Sequence, residues 1–386
     1  MTPTLKSFVI IRAESSFRIF LVMGGTFFLS FLFAYTRIQP LSRLDSIESI
    51  ERRLSFHPKE RSNDTVDEFD EELYTFKILQ LADLHFGEAE FTDWGPLQDE
   101  KSAGVIQKVI EKERPDLVVL SGDQLTGNDI DENATEYYSN LISILQSSQD
   151  NIKWVMIFGN HDDAPLERKD KYGNIIYFGT KTSREDLLKK DMSFSSSFSK
   201  RGPIDMPGNN YFVPLYLKNV PVLNIYLFDS GGGVLSEKID KSQTDWLKTV
   251  SKKSSLPGVA FQHIPSSVDD FEFSDNCVGQ HDDSIDAITV DSEIVGELAS
   301  SKVLFLGVGH DHGNGYCCRH KYNWIDVCFG RHSGYGGYSH RDWARGARIY
   351  LLTHNGKQIN WESWTRLESG EVVDTFMGSH SYPSTL

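Results

Sequence analysis

The chain has 386 residues, 39% of them hydrophobic and 12% aromatic, which allows a large core and excludes disorder for most of its length. The formal net charge of −16 argues against a nucleic-acid-binding surface, which would need basic patches. It does not exclude a phosphorylated substrate, because bound metal ions supply local positive charge whatever the surface carries.

Residues 1–18 read as a short cytosolic tail carrying Lys6, Arg12 and Arg18. Ile19 to Thr36 follows, 18 residues without a charge, bracketed by Arg18 and Arg37. As a helix this run spans roughly 27 Å, close to the thickness of a thin bilayer, and predicts a transmembrane signal anchor. No small-x-small cleavage site stands near Ala34 to favour a removed signal peptide. Residues 37–73 are rich in charge, with Pro58 and an acidic stretch from Asp67 to Glu72, and read as a juxtamembrane stalk. The charge bias around the anchor places the body in the lumen of the secretory pathway or outside the cell. Sequons at Asn63 and Asn133 agree and mark both as candidate glycosylation sites. Cys277, Cys317, Cys318 and Cys328 permit disulfides in three full pairings, or four buried thiols.

The folded domain is expected over 74–367. Apolar runs rich in β-branched and aromatic residues predict strands at Phe76 to Ala82, Leu117 to Leu120, Trp154 to Phe158, Val222 to Phe228, Val259 to Gln262 and Val303 to Val308. Val105, Ile106, Val109 and Ile110 are spaced like one helix face, and Pro115 ends that helix. Further helices are expected at Thr135 to Gln149, Ser183 to Lys190 and Ser242 to Lys252, the last laying Trp246 and Leu247 on a sheet. Asp163 to Asn210 carries little strand pattern and reads as an insertion that rims a site. Tyr322 to Phe329 and Ile349 to Thr353 look like closing strands, and 368–386 reads as a disordered tail.

Five of the apolar runs end in good metal ligands: Asp83 and His85, Asp123, Asn160 and His161, His263, and His310 and His312. In open α/β sheets ligands sit beyond the carboxyl ends of the strands. Oxygen and nitrogen donors delivered from five such ends into one crevice make a multi-metal site. Two side-chain stretches remain open between readings. Arg331 to Tyr338 lines the site or forms a glycine-rich turn. Asp229-Ser230-Gly231-Gly232-Gly233 hints at a phosphate loop, but no G-K-[ST] follows, which favours a plain turn.

The ordered set D-x-H, G-D, G-N-H-D, lone strand-end histidine and G-H-x-H resembles that of the calcineurin-like metallophosphoesterase superfamily, over roughly Phe76 to Tyr350. The short purple-acid-phosphatase-like proteins of fungi and plants are the most similar branch. The resemblance implies an α/β, four-layer metallophosphoesterase fold: a two-sheet β-sandwich flanked by helices, here with an N-terminal transmembrane helix. It implies that Asp83, His85, Asp123 and His312 hold one metal, and that Asp123, Asn160, His263 and His310 hold a second. His161 would be the catalytic histidine, with Asp162 and Asp311 supporting neighbouring histidines from behind. The implied activity is hydrolysis of phosphomonoesters, on a phosphorylated small molecule or a phosphoprotein. Diester cleavage and a non-catalytic scaffold are the alternatives. Purple enzymes carry a tyrosine three residues after the bridging aspartate, where this chain has Thr126. A ferric ion would lack its phenolate there, so two divalent ions such as Mn, Zn or Fe(II) are expected.

Overall fold

Tyr74–Leu81 alternates in both burial and destination: Tyr74, Phe76 and Ile78 pack inward between two sheets, while Leu79 and Leu81 face a layer of helices. The period of two thus serves a strand apolar on both faces, as expected where each face is covered. The computed structural model describes residues 52–59 and 72–383, except 131–132, 170–171, 173, 179–181, 272–275, 292 and 324. The expected cytosolic tail, the Ile19 to Thr36 anchor, most of the stalk and Asn63 lie outside those residues. Among the described residues no helix is long and apolar enough to cross a membrane.

The first sheet has the strand order Val372–Met377, Gln358–Leu367, Gly346–His354, Tyr74–Leu81, Leu117–Ser121, Trp154–Ile157, the last three parallel. The second runs Leu54–Ser55, Tyr211–Leu217, Val220–Leu227, Gly258–Phe261, Val303–Val308, Asp326–Phe329, Asn314–Arg319, Val278–His281. Its central strands Val220–Leu227, Gly258–Phe261, Val303–Val308 and Asp326–Phe329 are parallel neighbours. The sheets face each other across a core that includes Phe76, Ile78, Val119, Ile157, Ile225, Phe261, Phe305 and Trp361. Outside the first sheet pack Gly95–Glu113, Ala134–Ser148 and Arg184–Met192, and outside the second Lys241–Ser254 and Ile294–Ser300. This is the expected four-layer sandwich.

The four predicted helices are present, each within a few residues of its expected core. Val105, Ile106, Val109 and Ile110 are buried, at about 1.5–3 kcal/mol of hydrophobic stabilisation each. That helix closes at Arg114 in the left-handed conformation, just before Pro115. Leu247 is fully buried and Trp246 packs on the same cluster, as expected.

Three expectations are corrected. The stretch after Glu368 is not a disordered tail, because Val372–Met377 pairs with Gln358–Leu367 at the sheet edge. Its apolar residues Val372, Val373, Phe376 and Met377 do not alternate, because the pairing register shifts between Ser363 and Thr365, and only Phe376 is buried. The fold also begins before Tyr74: Leu54 pairs with Leu215, and His57 with Thr75, so part of the expected stalk itself belongs to the two sheets. The closing strand expected at Tyr322 to Phe329 is shorter, Asp326–Phe329, and its partner Asn314–Arg319 is buried on both faces, so it has no alternation to mark it as a strand.

The cysteines are all paired, Cys277 with Cys318 and Cys317 with Cys328. Adjacent residues of a strand point to opposite faces, so Cys317 and Cys318 reach different partners. Cys317 stands directly opposite Cys328 in the strand register.

Candidate metal centre

The site lies where the chain leaves the parallel strands of both sheets. Each exit bends sharply: Asp83, His85, Asp123 and His310 all have φ between 50° and 76°. Such left-handed conformations cost a non-glycine residue roughly 1–2 kcal/mol, and they persist where surrounding bonds enforce them. Here the Asp123 carbonyl accepts from the amides of both Leu84 and His85, at 2.8 and 2.9 Å. The buried Asp162 carboxylate gathers the amides of Gly159, Asp123 and Leu125 at 2.7–3.1 Å. Asp162 therefore braces the turns and touches no histidine, which corrects the expectation for it. Asp311 also accepts a backbone amide, that of Asp286 at 3.1 Å, rather than supporting a histidine.

All seven expected metal ligands converge. Asp83, His85 and His312 form one group whose donor atoms lie within 4.8 Å of one another, and Asp123, His263 and His310 form a second. Asp123 Oδ2 stands between the groups, 3.2 Å from His263 Nε2 and 3.6 Å from His85 Nε2. Asn160 Oδ1 completes the second group, 3.1 Å from His263 Nε2 and 3.0 Å from His310 Nδ1.

The hydrogen bonds behind these ligands fit a metal. Ser121 O accepts from His263 Nδ1 at 3.0 Å, and Tyr338 O from His312 Nδ1 at 2.6 Å. Both Nε2 atoms are thereby the ones aimed at the carboxylates, the atoms that would meet a metal once deprotonated. His85 Nδ1 meets Thr126 Oγ1 at 3.0 Å, and its Nε2 faces His312 Nε2 at 3.2 Å. Lone pairs and carboxylates crowded together in this way suit cations with mixed nitrogen and oxygen preference.

The electrostatics of the site point the same way. Burial pushes Asp83 up to about 7, with Asp123 adding to the rise. Burial alone would lower His263, but Asp123 and Asp83 outweigh it and raise the imidazole to about 9. Burial also lowers His310 to about 3 and His312 to about 4. Against burial, His263 and His161 hold Asp123 well below the usual carboxylate range.

His161 is set apart from the ligands. Its amide donates to Asp123 Oδ1 at 2.7 Å, and its Nδ1 donates to Asn128 Oδ1 at 2.9 Å. The half-buried ring lies 5.1 Å from that of His85. Sequence reasoning missed Asn128, a polar loop residue two positions beyond Thr126 with no pattern to mark it. The open question over Arg331 to Tyr338 resolves toward the site at both ends of the stretch, since the His332 ring also packs on His312, with centroids 3.9 Å apart. Tyr338 stacks on His312 at 4.1 Å, while Arg331 Nε turns away to Ala344 O. Gly337, at φ 72°, has room for no side chain: a Cβ would come within 2.4 Å of His312. Asn133, the described sequon residue, is exposed at the start of Ala134–Ser148.

Comparison with known proteins extends the picture. A family model described as calcineurin-like phosphoesterase matches residues 76–314. The "Probable inactive purple acid phosphatase 14" of Arabidopsis thaliana is 28% identical over 353 residues, covering 78% of this chain and 83% of that protein. "Phosphatase DCR2" of Saccharomyces cerevisiae is 30% identical over 343 residues, covering 78% of this chain and 55% of its own length. Among solved structures, a dimetal phosphatase from Danio rerio aligns with TM-score 0.47 at 14% identity, over 79% of this chain and 99% of that one. A purple acid phosphatase from yellow lupin seeds gives 0.48 at 12% identity, over 78% and 53%.

Proposed function

Because the chain belongs to the calcineurin-like phosphoesterase family, we propose that it is a working hydrolase of phosphomonoesters with two divalent ions as cofactors. One observation carries the reading: two complete ligand groups converge with Asp123 Oδ2 between them, and no expected ligand position is lost. A non-catalytic scaffold would have no need of that completeness. When bound, two divalent ions supply positive charge for phosphate oxygens and a water acidic enough to attack near neutrality.

The side chains do the rest. Asp83 and Asp123 contribute the two negative charges of the ligand set, so two divalent ions leave the centre net positive and able to hold a phosphate. Asn128 Oδ1 accepts a hydrogen bond from His161 Nδ1–H and so fixes which ring nitrogen is free. His161 Nε2 is then the atom placed to hold a proton for the leaving oxygen or to bond a phosphate oxygen. The Thr126 hydroxyl holds His85 where a purple enzyme would have a phenolate, which supports divalent ions over a ferric one.

We place the domain in the lumen or outside the cell, on a single N-terminal anchor. The uncharged Ile19 to Thr36 run, the two disulfides and the exposed Asn133 sequon support this. Metal analysis of the purified protein, with hydrolysis of a nitrophenyl monoester compared against its bis-ester, tests the reading. Two ions and a monoester preference are expected. A bis-ester preference would make it a phosphodiesterase, and two bound ions without turnover would make it a scaffold.

A further inference from the structure

Arg184 opens the helix Arg184–Met192 from within the stretch that sequence reasoning treated as a rim insertion, and its side chain is 11% exposed. Its guanidinium faces inward rather than to solvent and fans across two loops. Nη2 donates to Gly159 O at 3.1 Å, to Gly232 O at 2.8 Å and to Gly231 O at 3.3 Å. Nη1 donates to Asp229 Oδ1 at 2.8 Å, and Nε lies 3.1 Å from Asp163 Oδ1. The same group sits over the ring of Phe158 at 5.0 Å.

Those contacts gather around Asn160. Gly159 immediately precedes Asn160, and the Asp229-Ser230-Gly231-Gly232-Gly233 turn presses on it from the other side. A Cβ on Gly232, which has φ 87°, would come within 2.3 Å of Asn160 Cβ. Ser230 Oγ accepts the Ile264 amide at 3.0 Å, which joins the same turn to the residue after His263. Asn160 and His263 both belong to the second ligand group. Among the described residues no hydrogen bond or ion pair joins the first group, Asp83, His85 and His312, to Arg184 or to this turn; that group is braced instead by Thr126 and Tyr338. The glycine-rich turn is therefore a clamp on a ligand rather than a phosphate loop.

We propose that Arg184 is a positioning residue for the second metal alone: its forked donors hold the Gly159 and Gly232 carbonyls so that Asn160 stays aimed at His263 and His310. This rests on the dinuclear reading above. A planar fork with several fixed donors can serve these acceptors at once, whereas a lysine ammonium is a point charge that cannot span them. Residues that orient metal ligands typically account for about 10–100-fold in metal affinity.

The test is a calorimetric titration of the metal-stripped full chain with Mn²⁺ or Zn²⁺. His85→Ala and His263→Ala identify which binding step belongs to which group. Arg184→Lys keeps the buried positive charge, and so the fold, but loses the fork. It should weaken the second step about 10–100-fold and leave the first within about twofold. A second variant uses the cavity of about 390 Å³ that Arg184 lines together with Phe158, Leu188 and Met206. There Arg184→Gly opens space, and added guanidinium ion at a non-denaturing concentration should restore the second step. Equal weakening of both steps, or a lowered melting temperature with both steps intact, would make Arg184 merely structural. Wild-type protein that binds fewer than two ions would instead remove the dinuclear reading, and this proposal with it.

Discussion

Thr126 Oγ1 lies 3.0 Å from His85 Nδ1, so the residue that stands where purple enzymes have a metal-binding tyrosine here orients an imidazole ligand. The hydroxyl is too far back to be a ligand itself and works through His85. Two measurable consequences follow. Purified protein should show no tyrosinate-to-iron charge-transfer band, and an intense violet band lost on reduction would refute the assignment. Thr126→Val keeps the shape and removes the acceptor, so it should lower affinity at the first metal by about 10-fold. Unchanged affinity would mean that His85 needs no such support.

Asp123 and His161 separate binding from catalysis. Asp123→Asn removes the charge between the two ligand groups and should lose metal together with activity. His161→Ala should keep both ions and lower kcat by about 10²–10⁴, the usual loss for a general acid–base group. The loss should shrink for nitrophenyl esters, whose leaving group needs little protonation. Full activity of His161→Ala on an alkyl phosphate would end the proposed role.

Asn128 should matter only through His161. Asn128→Ala removes the acceptor for Nδ1–H and frees the ring to rotate or change tautomer. The expected result is a kcat reduced by about 10-fold or more with metal content intact. In His161→Ala protein the same substitution should add little further loss, because the residues act as a unit. Additive losses would show that Asn128 acts independently.

Topology is tested by glycosylation and protease access. Asn133 is exposed and, in a lumenal domain, should carry a glycan that endoglycosidase removes with a shift in mobility. The disulfides should also resist the cytosolic thiol pool only if the domain is kept from it. No mobility shift combined with digestion from the cytosolic side would move the domain to the other face of the membrane.

The positions that converge as candidate ligands were legible in the sequence because each follows a short apolar strand, where a polar residue is conspicuous. Asp83, Asp123, His263 and His310 all stand out in this way. The residues that position His161 and Asn160 were not legible. Asn128 lies in a polar loop, and Arg184 heads a helix whose exposed face hides one inward guanidinium. The edge strand Val372–Met377 escaped because its apolar residues do not alternate and only Phe376 is buried in it. The disulfide pairing escaped because neighbouring Cys317 and Cys318 choose partners by strand register, which spacing alone does not give.

The metal-free chain should lose stability as pH rises from about 6.5 to 9, against the usual expectation that carboxylates favour folding at higher pH. Burial pushes Asp83 and Asp162 up to about 7 and Asp311 up to about 8. His263 rises to about 9 because Asp123 and Asp83 outweigh its burial. In the unfolded chain the carboxylates have released these protons well below pH 6.5 and the imidazole releases its own around pH 6.5, whereas the folded chain holds them to higher pH. The folded state therefore binds more protons, and its stability falls as pH climbs through those values. His310 and His312, lowered to about 3 and 4, act with the opposite sign, but only below pH 6.5, since above it they are neutral in both states. Asp123 is ionised in both states throughout the window. Cations would take the place of the protons on Asp83 and His263, so the loaded protein should show a flatter profile and a larger metal-induced gain at pH 8.5 than at 6.5. Urea midpoints in excess chelator at pH 6.5, 7.5 and 8.5 check the sign. A midpoint that rises across this window would show that the buried acids are ionised and paired in the folded chain, and that the ligand cluster does not depend on a cation.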